Sequence, residues 1–142
     1  MLRAALIDHV RGWVGAPYHH QGRIRAGVDC IGLFLAAASE LGLGDFDCEA
    51  FRQRRRAPPR GVGMLEHFDN VCGKRLQFEE TAPGDLLVFW FNERTRRAQH
   101  VGLKTELGVL HTHAEVGRVA EHTIDGWWLE RFICGYRVPG IE

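Results

Sequence analysis

The chain has 142 residues, of which 45% are hydrophobic and 25% are charged, and this length and composition predict one globular domain over residues 1–142. Its 18 lysines and arginines balance its 18 aspartates and glutamates, so net charge gives no support for a nucleic-acid or anionic-membrane partner. No apolar segment approaches the roughly 20 residues that span a bilayer, and we expect no membrane association.

The N-terminal segment MLRAALIDHVRGWVG predicts an amphipathic helix over residues 2–14 that stops near residues 15–17. Its apolar residues are interrupted by Asp8, His9 and Arg11, which a secretory signal peptide would not tolerate. We therefore expect a protein that is made in the cytoplasm without a signal peptide.

The stretch AGVDCIGLFLAAASELGLG, residues 26–44, predicts a second helix from Cys30 to about Leu41. Asp29 is a suitable N-cap, and Gly42 is the first of two glycines that end the apolar run. Cys30 thus falls in the first helical turn, where backbone N–H groups lack helical partners and the helix dipole is positive. That position favours the reactive thiolate, so Cys30 is a candidate nucleophile.

The other cysteines, Cys48, Cys72 and Cys134, are widely spaced and form no C-x-x-C pair. A zinc site made of cysteines is therefore not expected, and a chain of this size needs no disulfide framework. We predict that all four thiols are reduced and that these three are structural.

An arginine-rich segment, FRQRRRAPPRG, follows the second helix. Its arginines from Arg52 to Arg60 and its paired prolines predict an exposed, solvated loop. The alternative is a surface that docks on a polyanion or on another protein. A short helix from about Met64 to Cys72 is predicted next.

After TAPGD, residues 81–85, the pattern changes to short β-type runs that are separated by turn residues. These runs are LLVFWF, HVGLKT, GVLHTH, GRVAEH and ICGYRV. Helices followed by an antiparallel sheet define the α+β class. Trp127 and Trp128 precede the last run and predict a short helix packed on the sheet, although an exposed tryptophan could stack on a sugar ring.

A cysteine nucleophile needs a base within hydrogen-bond reach and a third group that orients the base. Eight histidines are available, and the best candidates lie in the predicted strands. His100 opens one run, while His111 and His113 are two apart on the next and therefore share a face. One of these two could meet His100 beside the helix of Cys30, whereas His122 has no distinctive setting.

The segment from His111 to His113 also has the H-x-H form of a metal-binding pair. The candidate nucleophile Cys30 and base His100 give these histidines a role without a metal, so a zinc site is the less favoured interpretation. We expect neither a metal ion nor another cofactor.

Five motifs, in this order, resemble those of the NlpC/P60 cysteine peptidases: GAPYHHQG, GVDCIGLF, APGDLLVF, QHVGL and VLHTHAEVGRVAEH. The resemblance extends from about Gly12 to Pro139. It implies a papain-like fold in which N-terminal helices, with the nucleophile at a helix N-terminus, pack on a C-terminal antiparallel sheet. It also implies an enzyme that hydrolyses amide bonds in the stem peptides of bacterial peptidoglycan.

The resemblance assigns roles to individual residues. It makes Cys30 the nucleophile and His100 the base, and Tyr18 matches a tyrosine whose hydroxyl faces the active site. The third member lies roughly a dozen residues after the base, which leaves His111 and His113. We favour His111 because an aliphatic pair precedes it and because counting back from GRVAE puts it in the matching place.

The closing segment, DGWWLERFICGYRVPG, resembles the small single-domain branch found in phage and gene-transfer-agent tails. This implies tail proteins as possible partners and delivery to the wall in a tail or after lysis. Two other functions stay open, namely a structural tail module with little activity and an amidase or acyl transferase that acts on a different amide.

Overall fold

The computed structural model describes residues 2–43 and 61–142. Cys48 and the predicted loop from Arg52 to Arg60 lie outside the described residues. In the part that is described, no helix is both long enough and apolar enough to cross a membrane.

Helix α1 spans Arg3–Arg11 and is shorter than the predicted range of 2–14. It ends at Gly12, whose N–H donates to the carbonyl of His9, and the chain then turns. The turn brings the N–H of Gly15 within 2.9 Å of the carbonyl oxygen of Val119, so a contact with a distant segment ends the helix early.

A two-stranded antiparallel hairpin follows, formed by β1 (Arg23–Ile24) and β2 (Gly27–Val28). It lies between the two helices predicted from the sequence, where no strand was predicted. Helix α2 then spans Cys30–Leu41, with Asp29 as N-cap and Gly42 as C-cap at φ 67°. The predicted start and end of this helix are both confirmed.

After α3 (Gly61–Cys72), the chain forms five antiparallel strands in the spatial order β6-β5-β4-β3-β7. A short helix, α4, separates the last two strands. The predicted α+β architecture is confirmed. The bounds of these elements are β3 (Leu86–Trp90), β4 (Ala98–Lys104), β5 (Val109–His111), β6 (Ala120–His122), α4 (Gly126–Arg131) and β7 (Phe132–Tyr136).

Both faces of the sheet are covered. Helices α1 to α3 pack on one face in a core that includes Leu6, Phe34 and Val101. On the other face, Trp128 of α4 packs with Phe89 and neighbouring apolar residues. Phe89 of β3 pairs with His100 of β4, and residues directly opposite on neighbouring strands share a face, so His100 lies on the α4 face.

Candidate active site

Cys30 is the first residue of α2, and its position depends on the N-cap. One carboxylate oxygen of Asp29 accepts a hydrogen bond of 2.7 Å from the N–H of Gly32, and the other accepts one of 2.9 Å from the N–H of Gln21. The buried carboxylate therefore ties the start of the helix to the preceding loop. This positions the half-buried Cys30 at a rigid helix terminus.

Close packing requires a glycine at Gly32 in the motif DCIGL. A Cβ atom at Gly32 would lie 1.9 Å from the carbonyl oxygen of Gly22, a distance that no side chain permits. Only glycine lets the loop pack this closely against the first turn of α2.

Cys30 opens into a cavity of about 390 Å³. Tyr18 and His100 line the same cavity, so the structure brings three of the residues selected from the sequence to one place. Tyr18 is held by a hydrogen bond of 2.8 Å from its N–H to the carbonyl of Gly117. The other lining residues are Phe91, Gln99, Thr112, His113, Ala114, Glu115 and Trp127.

His100 and His111 are joined by a hydrogen bond of 2.6 Å between Nε2 of His100 and Nδ1 of His111. Each residue is 1% exposed. His113 lines the cavity, with its ring centroid 5.7 Å from that of His100. Of the two histidines that the sequence left as alternatives, His111 is therefore the one whose ring bonds to Nε2 of His100.

Gly102, in the motif HVGL, lets β4 and β5 lie close together. A Cβ atom there would lie 2.5 Å from a methyl carbon of Val109 and 3.2 Å from the Cβ of His111. The absence of a side chain at Gly102 therefore allows β5 to carry His111 to the ring of His100.

Burial sets the charge of both rings. It lowers the pKa of His100 well below its usual range, with the neighbouring histidines adding to the effect. Burial also lowers the pKa of His111, to about 3. Both rings are therefore neutral near pH 7 in the resting site, and a neutral imidazole can accept a proton from a thiol.

His122, to which the sequence assigned no setting, belongs to the same cluster. Its Nε2 lies 2.6 Å from Nε2 of His111, and its Nδ1 lies 2.8 Å from the carbonyl oxygen of Thr123. The signal was present in the sequence, because His100, His111 and His122 recur at intervals of 11 residues on successive strands. Only the register of β5 with β6 shows that the intervals bring the rings together.

Trp128 covers the histidine cluster from α4. Its ring centroid lies 5.8 Å from that of His100, 4.9 Å from that of His111 and 5.4 Å from that of His122. The prediction that this tryptophan packs a short helix on the sheet is confirmed. Trp127 instead is 46% exposed and lines the cavity.

Cys30, Cys72 and Cys134 are free thiols, as predicted for these three. Burial raises the pKa of Cys72 to about 12 and also raises that of Cys134. Among residues 2–43 and 61–142, no group of three or more histidine, cysteine, aspartate or glutamate side chains is arranged to hold a metal ion. The chemistry that this arrangement supports is nucleophilic attack by a thiol next to a neutral imidazole.

The chain is similar to known proteins. Residues 15–137 match the model of the NlpC/P60 family. The probable endopeptidase NlpC of Escherichia coli (strain K12) is 25% identical over 136 residues, which are 95% of this chain and 77% of that protein.

Solved structures show the same fold. The NlpC/P60 domain of the peptidoglycan hydrolase SagA superposes with a TM-score of 0.66 at 18% identity, covering 96% of this chain and 98% of that one. An NlpC/P60 family protein from Bacillus cereus ATCC 10987 superposes with a TM-score of 0.71 at 18% identity. In that case 97% of this chain aligns with 40% of the other. The papain-like NlpC/P60 fold is therefore confirmed.

Proposed function

Because this chain belongs to the NlpC/P60 family of cell-wall peptidases, we propose that it is a cysteine endopeptidase that hydrolyses amide bonds in peptidoglycan stem peptides. The observation that carries the proposal is the bond of 2.6 Å between His100 and His111. It orients a neutral base that lines the same cavity as the helix-opening Cys30. A structural tail module would have no need of this arrangement.

The reaction would proceed by acyl transfer to sulfur. His100 accepts the proton of the Cys30 thiol, and the thiolate attacks the carbonyl carbon of the substrate amide. The protonated His100 then donates that proton to the leaving amine. A water molecule that His100 deprotonates then attacks the thioester. The acid is released, the Cys30 thiolate leaves, and protonated His100 returns its proton to the sulfur.

Two groups would stabilise the oxyanion of the tetrahedral intermediate. They are the backbone N–H of Cys30, at the positive end of the dipole of α2, and the hydroxyl of Tyr18 in the same cavity. Loss of one such donor costs about 100- to 1000-fold in rate in well-studied enzymes. His111 would keep the ring of His100 in its working orientation but would add no negative charge.

The test is mass spectrometry of defined stem-peptide fragments incubated with the protein in water enriched in ¹⁸O. Hydrolysis should give two products and place one ¹⁸O atom in the new carboxyl group. Cys30→Ser, which retains nearly the same volume, should give no product. His67→Gln, a change on α3 away from the cavity, should cleave like the wild type.

The same experiment distinguishes the alternatives. An acyl transferase would join the acyl group to an added amine without incorporating ¹⁸O. An amidase would cleave a different amide and leave the stem-peptide bonds intact. Cleavage that persists in Cys30→Ser would contradict the proposed nucleophile.

We further propose that the enzyme reaches the wall as part of a phage or gene-transfer-agent tail, or after lysis. The resemblance of residues 125–140 to that branch supports this route. Co-sedimentation of the protein with purified tail particles would test it, and recovery in the soluble fraction alone would contradict the tail assignment.

A further inference from the structure

A row of three histidine rings crosses the sheet from β4 through β5 to β6. The ring centroids of His100 and His111 are 4.8 Å apart, and those of His111 and His122 are also 4.8 Å apart. The row runs diagonally across the strands, because the register places His122 opposite Val109 and His111 opposite Ala120. It starts at a fully buried ring lining the cavity and ends at His122, which is partly exposed.

At the outer end of the row, the hydrogen bond between His122 and the backbone has only one possible donor. Nδ1 of His122 lies 2.8 Å from the carbonyl oxygen of Thr123, and a carbonyl oxygen can only accept. Nδ1 of His122 must therefore carry a hydrogen. In a neutral ring the other nitrogen then has none, so Nε2 of His122 must accept.

The protonation of His122 determines which nitrogen donates in each of the other two hydrogen bonds of the row. Because Nε2 of His122 accepts, Nε2 of His111 must be the donor across their contact of 2.6 Å. Nδ1 of a neutral His111 is then an acceptor, and Nε2 of His100 donates to it. This leaves Nδ1 of His100 without a hydrogen, as a proton acceptor requires.

We infer that His122 is a positioning residue that acts through His111, fixing the tautomer of His100 in which Nδ1 can accept the proton of Cys30. The inference deepens the proposed function and rests on it for the role of Cys30. It assigns to the edge strand β6 a part in the reaction that the three residues Cys30, His100 and His111 do not account for.

The row also transmits charge. When the S–H bond of Cys30 breaks and Nδ1 of His100 gains the proton, the hydrogen on Nε2 of His100 can move to Nδ1 of His111. The hydrogen on Nε2 of His111 can then move to Nε2 of His122. His100 and His111 each lose one proton as they gain one, whereas His122 gains one and loses none, so the positive charge ends on this partly exposed ring beside the carbonyl of Thr123.

The reverse also holds. If His122 takes a proton from solvent, both of its nitrogens donate, and every bond in the row reverses. Nδ1 of His100 then carries a hydrogen and cannot accept one from the thiol. Protonation of the row from its exposed end therefore switches off the base.

The groups near His122 do not replace the hydrogen bonds that determine its tautomer. Trp128 of α4 covers the ring, and His113 adds a repulsive positive charge when it is protonated. Glu115 faces His113. Glu121, the neighbour of His122 on β6, lies on the opposite face of the sheet and pairs with Arg11 of α1.

The direct test is ¹⁵N spectroscopy of the histidine-labelled wild-type chain at neutral pH, which distinguishes a protonated ring nitrogen from a bare one. We expect hydrogen on Nε2 of His100, on Nε2 of His111 and on Nδ1 of His122. Hydrogen on Nδ1 of His100 in the neutral protein would overturn the inference. The measurement requires no variant to fold.

A functional test uses His122→Gln and the pH dependence of Cys30 alkylation by iodoacetamide. A glutamine amide can accept from or donate to Nε2 of His111 by flipping, so it keeps a partner without fixing the direction. We expect the rate at pH 7 to fall by about tenfold, since a wrong tautomer withdraws the base. His67→Gln is the matched control and should leave the profile unchanged.

The ¹⁵N spectrum of the variant separates this role from simple packing. Without His122 nothing fixes the direction of the bond between His100 and His111, so part of the hydrogen on Nε2 of His100 should appear on Nδ1. A slower rate with the wild-type tautomer of His100 would show a structural role only and would overturn the inference.

The alkylation and the spectra need no stem peptide. If wild-type protein shows the expected tautomers and alkylates rapidly at Cys30 but cleaves no stem peptide, the proposed function fails and the role of His122 in activating the thiol stands. If it cleaves stem peptides but His122→Gln keeps the wild-type profile, the inference fails alone.

Discussion

At the scale of single residues, the surroundings of the cysteines distinguish one thiol from the others. Cys30 lies at a helix N-terminus in an open cavity, whereas burial raises the pKa of Cys72 to about 12 and also raises that of Cys134. A thiol reacts as its thiolate. Cys72 and Cys134 should therefore be poor nucleophiles near neutral pH.

We predict that iodoacetamide at pH 7 labels Cys30 at least about tenfold faster than Cys72 or Cys134, because only the thiolate reacts. The measurement is peptide mapping by mass spectrometry in a Cys48→Ser background, which removes the fourth thiol. Equal labelling of the three cysteines in folded protein would show that Cys30 is not activated.

The two histidines of the segment HTH should differ sharply in their effect on turnover. His111 bonds to the base, while His113 lines the cavity with its ring 5.7 Å from that of His100. We expect His111→Ala to lower kcat by at least about tenfold through loss of ring orientation, and His113→Ala to keep most of the activity. Steady-state cleavage of a stem peptide checks this, with folding followed by circular dichroism.

If His113→Ala proves to be the disabled variant, then His113 rather than His111 orients the base during turnover. Equal and mild losses in the two variants would assign that role to another group, such as a backbone carbonyl.

At the scale of elements, the sequence predicts the long and periodic parts and misses those that depend on register. Asp29 before an apolar run and Gly42 after it predict α2, and the short β-type runs between turn residues predict the five strands. The hairpin β1–β2 has two residues in each strand, too few to show a period. His122 looked unremarkable because its partner is set by the pairing of β5 with β6, which composition does not reveal.

The distinction between His111 and His113 also depends on strand pairing, which the sequence does not reveal. Both lie on one face by parity, so the sequence could place them together but could not say which would reach Nε2 of His100. That choice depends on how closely β5 approaches β4, and Gly102 makes this approach possible.

Gly102→Ala should therefore disturb both stability and activity. The new Cβ would lie 2.5 Å from a carbon of Val109 and 3.2 Å from the Cβ of His111, so β5 must shift. Overpacking of this kind costs about 1–3 kcal/mol, and we expect a clear loss of peptide cleavage because His111 moves with its strand. Denaturant unfolding and steady-state kinetics provide the two measurements.

Gly63→Ala is the matched control, since a Cβ at this helical position meets nothing within 4 Å. It should stabilise the protein by up to about 1 kcal/mol and leave cleavage unchanged. Similar behaviour of the two variants would show that the contacts at Gly102 do not position β5.

At the scale of the whole molecule, a buried carboxylate in the motif APGD joins the two ends of the chain. Asp85 is fully buried, lies 2.8 Å from a guanidinium nitrogen of Arg3 and 3.3 Å from one of Arg137, and accepts from the N–H of Ala82 at 2.9 Å. The N–H of Arg3 also donates to the carbonyl of Glu142 at 3.1 Å. Helix α1 is thereby fastened to the sheet that carries the histidines.

Asp85→Ala should lower the free energy of unfolding by about 1–3 kcal/mol, because a buried donor loses its acceptor and two arginines lose their carboxylate. Urea unfolding would measure the loss. Glu93→Ala, which removes an exposed ion pair with Arg96, should change stability by less than about 0.5 kcal/mol. An Asp85→Ala protein as stable as Glu93→Ala would show that the junction contributes nothing.

The position of the histidine row has a consequence for the newborn chain. His100, His111 and His122 belong to successive strands close in sequence, but Cys30 precedes His122 by 92 residues. At ordinary rates of translation the ribosome needs roughly 5–20 s to cover that distance. The nucleophile therefore leaves the ribosome before its base. In our proposal each molecule hydrolyses amides at its full rate only after β6 has been synthesised and paired.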